Sequence, residues 1–117
     1  MDHETQLFLG IGYCVLLLVI ALLFQKYPPK KRNWYYGYRT SRSMANEAVW
    51  KMANDYSSRL MVRFCWYTFL IPALMYLIYP EYNFLVTVLL HSAIIVSLFF
   101  FTERYLNQHF DRNGNPK

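Results

Sequence analysis

Charge is what this sequence has least of. Only 16% of its 117 residues are Asp, Glu, Lys or Arg, against 56% hydrophobic and 20% aromatic, which is not the make-up of a soluble domain of this length. The scarcity is concentrated in three tracts. Leu7 to Phe24 and Phe64 to Tyr79 carry no formal charge, and Phe84 to Phe101 has only the imidazole of His91. About 20 apolar residues, rising ~1.5 Å each, cross a hydrocarbon core of ~30 Å. The expected fold is therefore an all-α membrane protein with three transmembrane helices, over about 6–25, 59–79 and 83–103.

Other absences narrow the chemistry. The two cysteines, Cys14 and Cys65, fall inside expected spans and form no CxxC, which argues against a disulfide framework or a zinc site and for a packing role. There is no phosphate loop, HExxH, nucleophile–base pair or pair of carboxylates at one depth, so neither an enzyme nor a cofactor is expected. The first tract also lacks the basic front end and small-residue cleavage site of a secretory signal: Met1-Asp2-His3-Glu4 precedes it and Gln25-Lys26-Tyr27-Pro28-Pro29 follows. It reads as a retained span.

The charge that is present is unevenly placed. Lys26, Lys30, Lys31, Arg32, Arg39, Arg42, Lys51, Arg59 and Arg63 lie between the first two spans or just inside the second, whereas the N-terminus has Asp2 and Glu4 and the second connection only Glu81. The positive-inside rule puts the basic connection and the C-terminus in the cytoplasm and the N-terminus outside. Anionic lipid beside that connection would compete for its charges, so nucleic acid is not an expected partner. Tyr27, Trp34, Tyr35, Tyr36 and Tyr38 at the basic end, and Tyr76, Tyr79 and Tyr82 at the other, suit the headgroup layers. Pro28-Pro29 ends the first helix, Pro72 interrupts the second with its freed carbonyl satisfied by a neighbour, and Pro80 opens a very short turn into an antiparallel hairpin. The tail after Arg104 starts helical and ends in Asn113-Gly114-Asn115-Pro116; with Pro116 where a calcium loop needs glycine, that reading is set aside.

The most specific stretch runs from Tyr36 to Asn54. Gly37 permits a tight turn, and Thr40, Ser41 and Ser43 can each cap a helix. Residues 43–57 predict an amphipathic, cytoplasmic interfacial helix: Ala45, Val49, Met52 and Tyr56 form one apolar stripe and Ser43, Asn46, Trp50 and Ala53 a second, while Glu47, Lys51 and Asp55 sit opposite. The spacing leaves open whether this helix bends at Ser57-Ser58 or continues into the second span. Its expected N-terminus, with Gly37, Tyr38, Arg39, Thr40, Arg42 and Ser43, is a candidate anion site for a lipid phosphate or an acidic partner side chain. The alternative is that both arginines snorkel among headgroups.

The run Asn33-Trp34-Tyr35-Tyr36-Gly37-Tyr38-Arg39-Thr40, followed by Ser43-Met44, Asn46, Trp50 and Ala53-Asn54, resembles the signature of the SdpI family of small bacterial membrane proteins. Thr102-Glu103-Arg104-Tyr105-Leu106 and Phe110 to Asn115 resemble that family's usual ending. The family is named for an immunity protein against a secreted peptide toxin, and its best-known member has further N-terminal membrane segments and a role in recruiting a repressor. The resemblance implies a bacterial cytoplasmic-membrane protein acting in immunity or signalling, with the stripe Asn46, Trp50, Ala53 and Asn54 as its contact surface. The partner would be a peptide toxin, another protein or a second copy. Alternatives are an accessory subunit of a larger membrane complex, or a small transporter or lipid-handling unit.

Two intramembrane features complete the expectations. Arg63, one turn inside the second span, and Glu103, at the same level of the third, are expected to form a structural ion pair. Asn83, Thr87 and His91 share one helical face, making Thr87 and His91 a possible polar site in the membrane, although a lone histidine is more often a packing residue.

Overall fold

A computed structural model describes residues 2–33 and 37–117; Met1, Trp34, Tyr35 and Tyr36, three of them expected headgroup aromatics, lie outside the described residues. The order is α1 (His3–Lys26), α2 (Glu47–Thr68), α3 (Leu70–Ile78), a short 3-10 turn (Pro80–Tyr82) and α4 (Asn83–His109). With α2 and α3 end to end, three helical segments are long and apolar enough to cross a membrane: His3–Lys26, Glu47–Ile78 and Pro80–His109. They assemble into a rod of 53 × 23 × 19 Å. Its sides are apolar and outward-facing, with Phe8 72%, Leu77 78% and Ile78 71% exposed, the inverse of a water-soluble surface.

Each helix is bounded by identifiable chemistry. Asp2 caps α1 by accepting the Thr5 N–H at 2.6 Å. α1 stops at Lys26, before Pro28-Pro29, whose rings cannot continue it. Pro72 has no N–H to donate to Thr68 O, four residues earlier. The thiol of Cys14, on the neighbouring α1, donates to that carbonyl at 3.7 Å, and the chain breaks for one residue at Phe69. The neighbour that satisfies the freed carbonyl is thus a cysteine.

The bundle closes through one stripe per helix. α1 turns Gln6, Gly10, Cys14, Leu18 and Ala21 inward, and α4 turns Asn83, Thr87, His91, Leu98, Thr102 and Leu106 inward. Small residues on α1 permit close approach, as in helix packing within lipid: a Cβ at Gly10 would lie 3.1 Å from Pro72 Cβ and 3.5 Å from Thr87 Oγ1. Midway, Leu18, Ala21 and Cys65 form an apolar cluster with Met61, Val62, Phe69 and Ile95 around it. A second cluster, Val49, Ala53, Leu106 and Phe110 with Tyr38 and Met52, lies at the basic end.

The interfacial helix expected over 43–57 is not a separate element. Thr40 and Ser43 exchange side-chain bonds and hold 40–45 as a turn, Asn46 supplies the cap, and the helix runs unbroken from Glu47 to Thr68. The amphipathic segment forms the first turns of the second span's own helix, and it continues straight through Ser57-Ser58.

Candidate functional site

The signature residues converge at the basic end. Asn54, 5% exposed, pairs through its side-chain amide with the backbone of Tyr38, accepting the Tyr38 N–H at 2.6 Å and donating to the Tyr38 carbonyl at 3.3 Å. The same amide donates to Trp50 O at 3.0 Å. Gly37 makes this approach possible: its φ is +102°, and a Cβ there would meet Asn54 Oδ1 at 2.5 Å and Pro29 Cγ at 2.6 Å. The buried indole of Trp50 donates to Pro29 O at 3.1 Å, fixing the chain that leaves α1.

The turn that follows is closed on itself. Ser43 Oγ accepts the Thr40 N–H at 2.8 Å, Thr40 Oγ1 accepts the Ser43 N–H at 3.1 Å, and the Ser43 hydroxyl donates toward the carbonyls of Tyr38 and Thr40. Asn46 serves two ends at once: its Oδ1 accepts the Val49 N–H at 3.0 Å and its amide donates to Gly114 O at 2.9 Å. Arg42 donates to Phe110 O at 2.8 Å. The C-terminal tail is held in turn by Asp111, whose Oδ1 accepts the N–H groups of Asn113 and Asn115 at 2.9 Å each. Those bonds hold the Asp111 carboxyl below its usual range.

These bonds correct two expectations. The stripe of Asn46, Trp50, Ala53 and Asn54 is not a free contact surface: Trp50 and Ala53 are fully buried, and the polar members are consumed by the chain's own loop and tail. Nor does the Gly37–Ser43 turn form the N-terminus of the helix: the N–H groups of α2 begin with Asn46 as cap, and Arg42 donates to Phe110 O while its Nε is buried without a hydrogen-bond partner. Arg39 alone of the two arginines is exposed and makes no ion pair among the described residues.

The expected Arg63–Glu103 ion pair is also absent among the described residues. Arg63 is exposed, two residues from the buried Cys65 and so ~200° around the helix from it. The two ends share a level but not a face. Glu103 instead accepts the Tyr38 hydroxyl at 2.8 Å, and the Tyr38 ring lies 5.4 Å from that of Phe99. Burial first, then the bond and the negative charge of Glu103, push the Tyr38 phenol well above its ordinary value.

Within the bundle the polar side chains are tied chiefly to helix geometry. Gln6 donates to Glu81 O at 2.7 Å and accepts the Phe84 N–H at 3.1 Å, clamping the start of α4. Asn83 donates to Pro72 O at 3.0 Å, and Thr87 donates to Asn83 at 3.1 Å. Thr87 is therefore paired with Asn83 and not with His91. His91 is fully buried edge-on to the Tyr13 ring at 5.1 Å.

Beneath the Asn54–Tyr38 pair, α1, α2, α4 and the loop border a cavity of about 250 Å³ that opens on one side. Its loop side carries Arg39, Asn54, Ser57 and Ser58 beside Phe24, and its deeper side is apolar, with Met61, Ile95 and Leu98. Ser57 and Ser58 were not marked in the sequence as more than a possible bend. Their spacing from Asn54, at three and four residues, is the signal that sets them on its face.

Residues 30–101, more than half the chain, match the SdpI/YfhL protein family. The chain belongs to that family. It is also similar to a protein of Bacillus subtilis (strain 168) described as "Uncharacterized protein YfhL", with 36% identity over 104 residues, covering 85% of this chain and 91% of that protein. No solved structure matches it. The matched region begins in the loop, just after Pro29, and includes Gly37, Tyr38, Trp50 and Asn54 and the cavity's α2 and α4 walls.

Proposed function

We propose that this member of the SdpI/YfhL family is a binding protein of the bacterial cytoplasmic membrane, acting in toxin immunity or signalling through helix contacts inside the bilayer. The clustering of basic residues in the first connection supports N-terminus outside and C-terminus inside. The observation that carries the reading is an outward ridge on α2 and α3. Arg63, Trp66, Tyr67, Leu70, Leu74 and Leu77 recur at helical spacing and are all exposed. The signature side chains are engaged internally, so a partner helix is met on this ridge, with Arg63 as its one charge. A peptide toxin with an apolar helix fits that surface in kind.

A photo-crosslinking amino acid at Tyr67 or Leu74, in the native host, tests the reading. A discrete adduct from these sites, absent when the probe is at Leu16 on α1, is expected. Equal labelling from α1 would count against the ridge. Protection of a sensitive cell by this chain, lost on Trp66→Ala with Tyr67→Ala, separates immunity from an accessory-subunit role, in which one stoichiometric partner is captured without protection.

A further inference from the structure

We propose that the cavity beneath the Asn54–Tyr38 pair is a binding site for one acyl chain of an anionic phospholipid, with the lipid phosphate on Arg39. This inference stands independently of the partner ridge, which lies on another face.

Polarity grades along the cavity as it does along a lipid. α2 enters from the loop end, so Ser57 and Ser58 come before Met61; α4 runs the other way, so Ile95 lies deeper than Phe99. The deep end is walled by Met61 and Ile95, and the shallow end, level with Phe24 near the end of α1, carries two hydroxyls and a guanidinium. Ser57 and Ser58 each donate to a backbone carbonyl of their own helix, at 3.4 and 3.1 Å. They add polarity to the cavity wall without adding charge.

The cavity opens on one side and, at about 250 Å³, takes the part of one acyl chain nearest its head, the rest of the chain lying along the outward apolar surface of the bundle. Charge selects the head: Arg39 is exposed at the rim without an ion pair among the described residues. A guanidinium binds phosphate through parallel N–H donors. The occupant also has to arrive through the bilayer, at the depth where α1 passes from Phe24 to Lys26.

The full-length chain in mild detergent, stripped of lipid and titrated in native mass spectrometry, tests this. Phosphatidylglycerol is expected to bind as one lipid per chain, and phosphatidylcholine more weakly. Arg39→Glu, on an exposed side chain with no ion pair to lose, is expected to weaken phosphatidylglycerol roughly tenfold or more. Lys31→Glu makes the same charge change away from the cavity and is expected to leave binding largely intact. Glycerol phosphate, a head without a chain, is expected not to bind. Equal loss in both variants, equal binding of phosphatidylcholine, or retention of glycerol phosphate would each overturn the site. So would identification of the lipid co-purified from the host as a free fatty acid. Because crosslinking on the ridge reads a different face, loss of either result leaves the other standing.

Discussion

Asn54 treats the backbone of Tyr38 as a partner strand would, accepting its N–H at 2.6 Å and donating to its carbonyl at 3.3 Å. Two part-buried backbone groups of a residue sixteen positions away are thereby met by one side chain on α2. Removing that side chain leaves the Tyr38 N–H unpaired, at up to about 1–3 kcal/mol, while the Tyr38 carbonyl keeps the Ser43 hydroxyl. Asn54→Leu is expected to lower the thermal unfolding midpoint in detergent markedly. Asn54→Asp, which keeps only the acceptor, is expected to fall between it and wild type. A wild-type midpoint for Asn54→Leu would mean that the loop is held without it, by Trp50 on Pro29 O, Ser43 on Tyr38 O and Tyr38 on Glu103.

Gly37 sets the geometry of the same pair. Gly37→Ala combines a left-handed backbone with a Cβ 2.5 Å from Asn54 Oδ1, and backbone strain of this kind costs roughly 1–3 kcal/mol. The expected outcome is a destabilisation that is not additive with Asn54→Leu, because both changes break one contact. A double-variant thermal melt reads this directly; full additivity would place the damage elsewhere.

The Tyr38–Glu103 bond gives the basic end a pH response with a defined sign. The folded state raises the phenol's pKa above its ordinary 10.0, so the neutral form is the one folding favours. Below about pH 10 the phenol is neutral in both states and the contribution is complete. Above it, the unfolded chain ionises first, and stability is lost as pH rises toward the folded value. Tyr38→Phe is expected to flatten stability between about pH 10 and 11 relative to wild type. Identical slopes in the two proteins would remove the assignment.

Asp111 responds at the opposite end of the scale. Its folded pKa lies below the ordinary 3.8 because backbone N–H groups of the tail turn bind the carboxylate. The tail's stability is present above that ordinary value and is lost as pH falls through the folded one. Hydrogen exchange at the Asn113 and Asn115 amides is expected to quicken below about pH 4 relative to the intrinsic rate. Asp111→Asn is expected to show the quicker exchange already at neutral pH. Exchange in the variant unchanged from wild type would show that the Phe110–Pro116 bridge, the backbone bonds of the turn and Asn46 on Gly114 O hold it without the carboxylate.

The spans were legible in the sequence because length and apolar composition are all that crossing a bilayer demands, and Pro28 and Pro80 mark limits while Pro72 marks the interruption of the second span. The cap was not: Thr40, Ser41, Ser43 and Asn46 are all capable side chains within seven positions, and the structure selects Asn46 because its amide can also reach Gly114. The direction of the signature stripe was hidden for a similar reason. Helical periodicity places Asn46, Trp50 and Ala53 on one side, but what covers that side is Pro29, Tyr38 and the tail at Phe110 and Gly114, all distant in sequence. Arg63 and Glu103 show the limit of reasoning by depth, since equal depth says nothing of azimuth. The cavity was invisible because its walls come from three helices.

Gly10 offers the sharpest test of how the membrane half is held. A Cβ there would approach Pro72 Cβ at 3.1 Å, with Thr87 Oγ1 at 3.5 Å and Asn83 Oδ1 at 3.6 Å. α1 therefore sits against the point where Pro72 interrupts the second span, and where the Cys14 thiol meets Thr68 O. Gly10→Ala is a tight fit and Gly10→Val a clash that separates the helices, at about 1–3 kcal/mol for overpacking. Gly12, whose Cβ would meet nothing within 4 Å, is the matched control on the same helix, and Gly12→Val is expected to leave stability near wild type. If the separation propagates, Cys14 in Gly10→Val is expected to react with a membrane-permeant maleimide faster than wild type, because the thiol is buried against α2 in the packed bundle. Equal stability of the two valine variants would mean that α1 is held by Gln6 on Glu81 and Phe84 and by the Leu18–Ala21–Cys65 cluster, with the close approach at Gly10 contributing nothing.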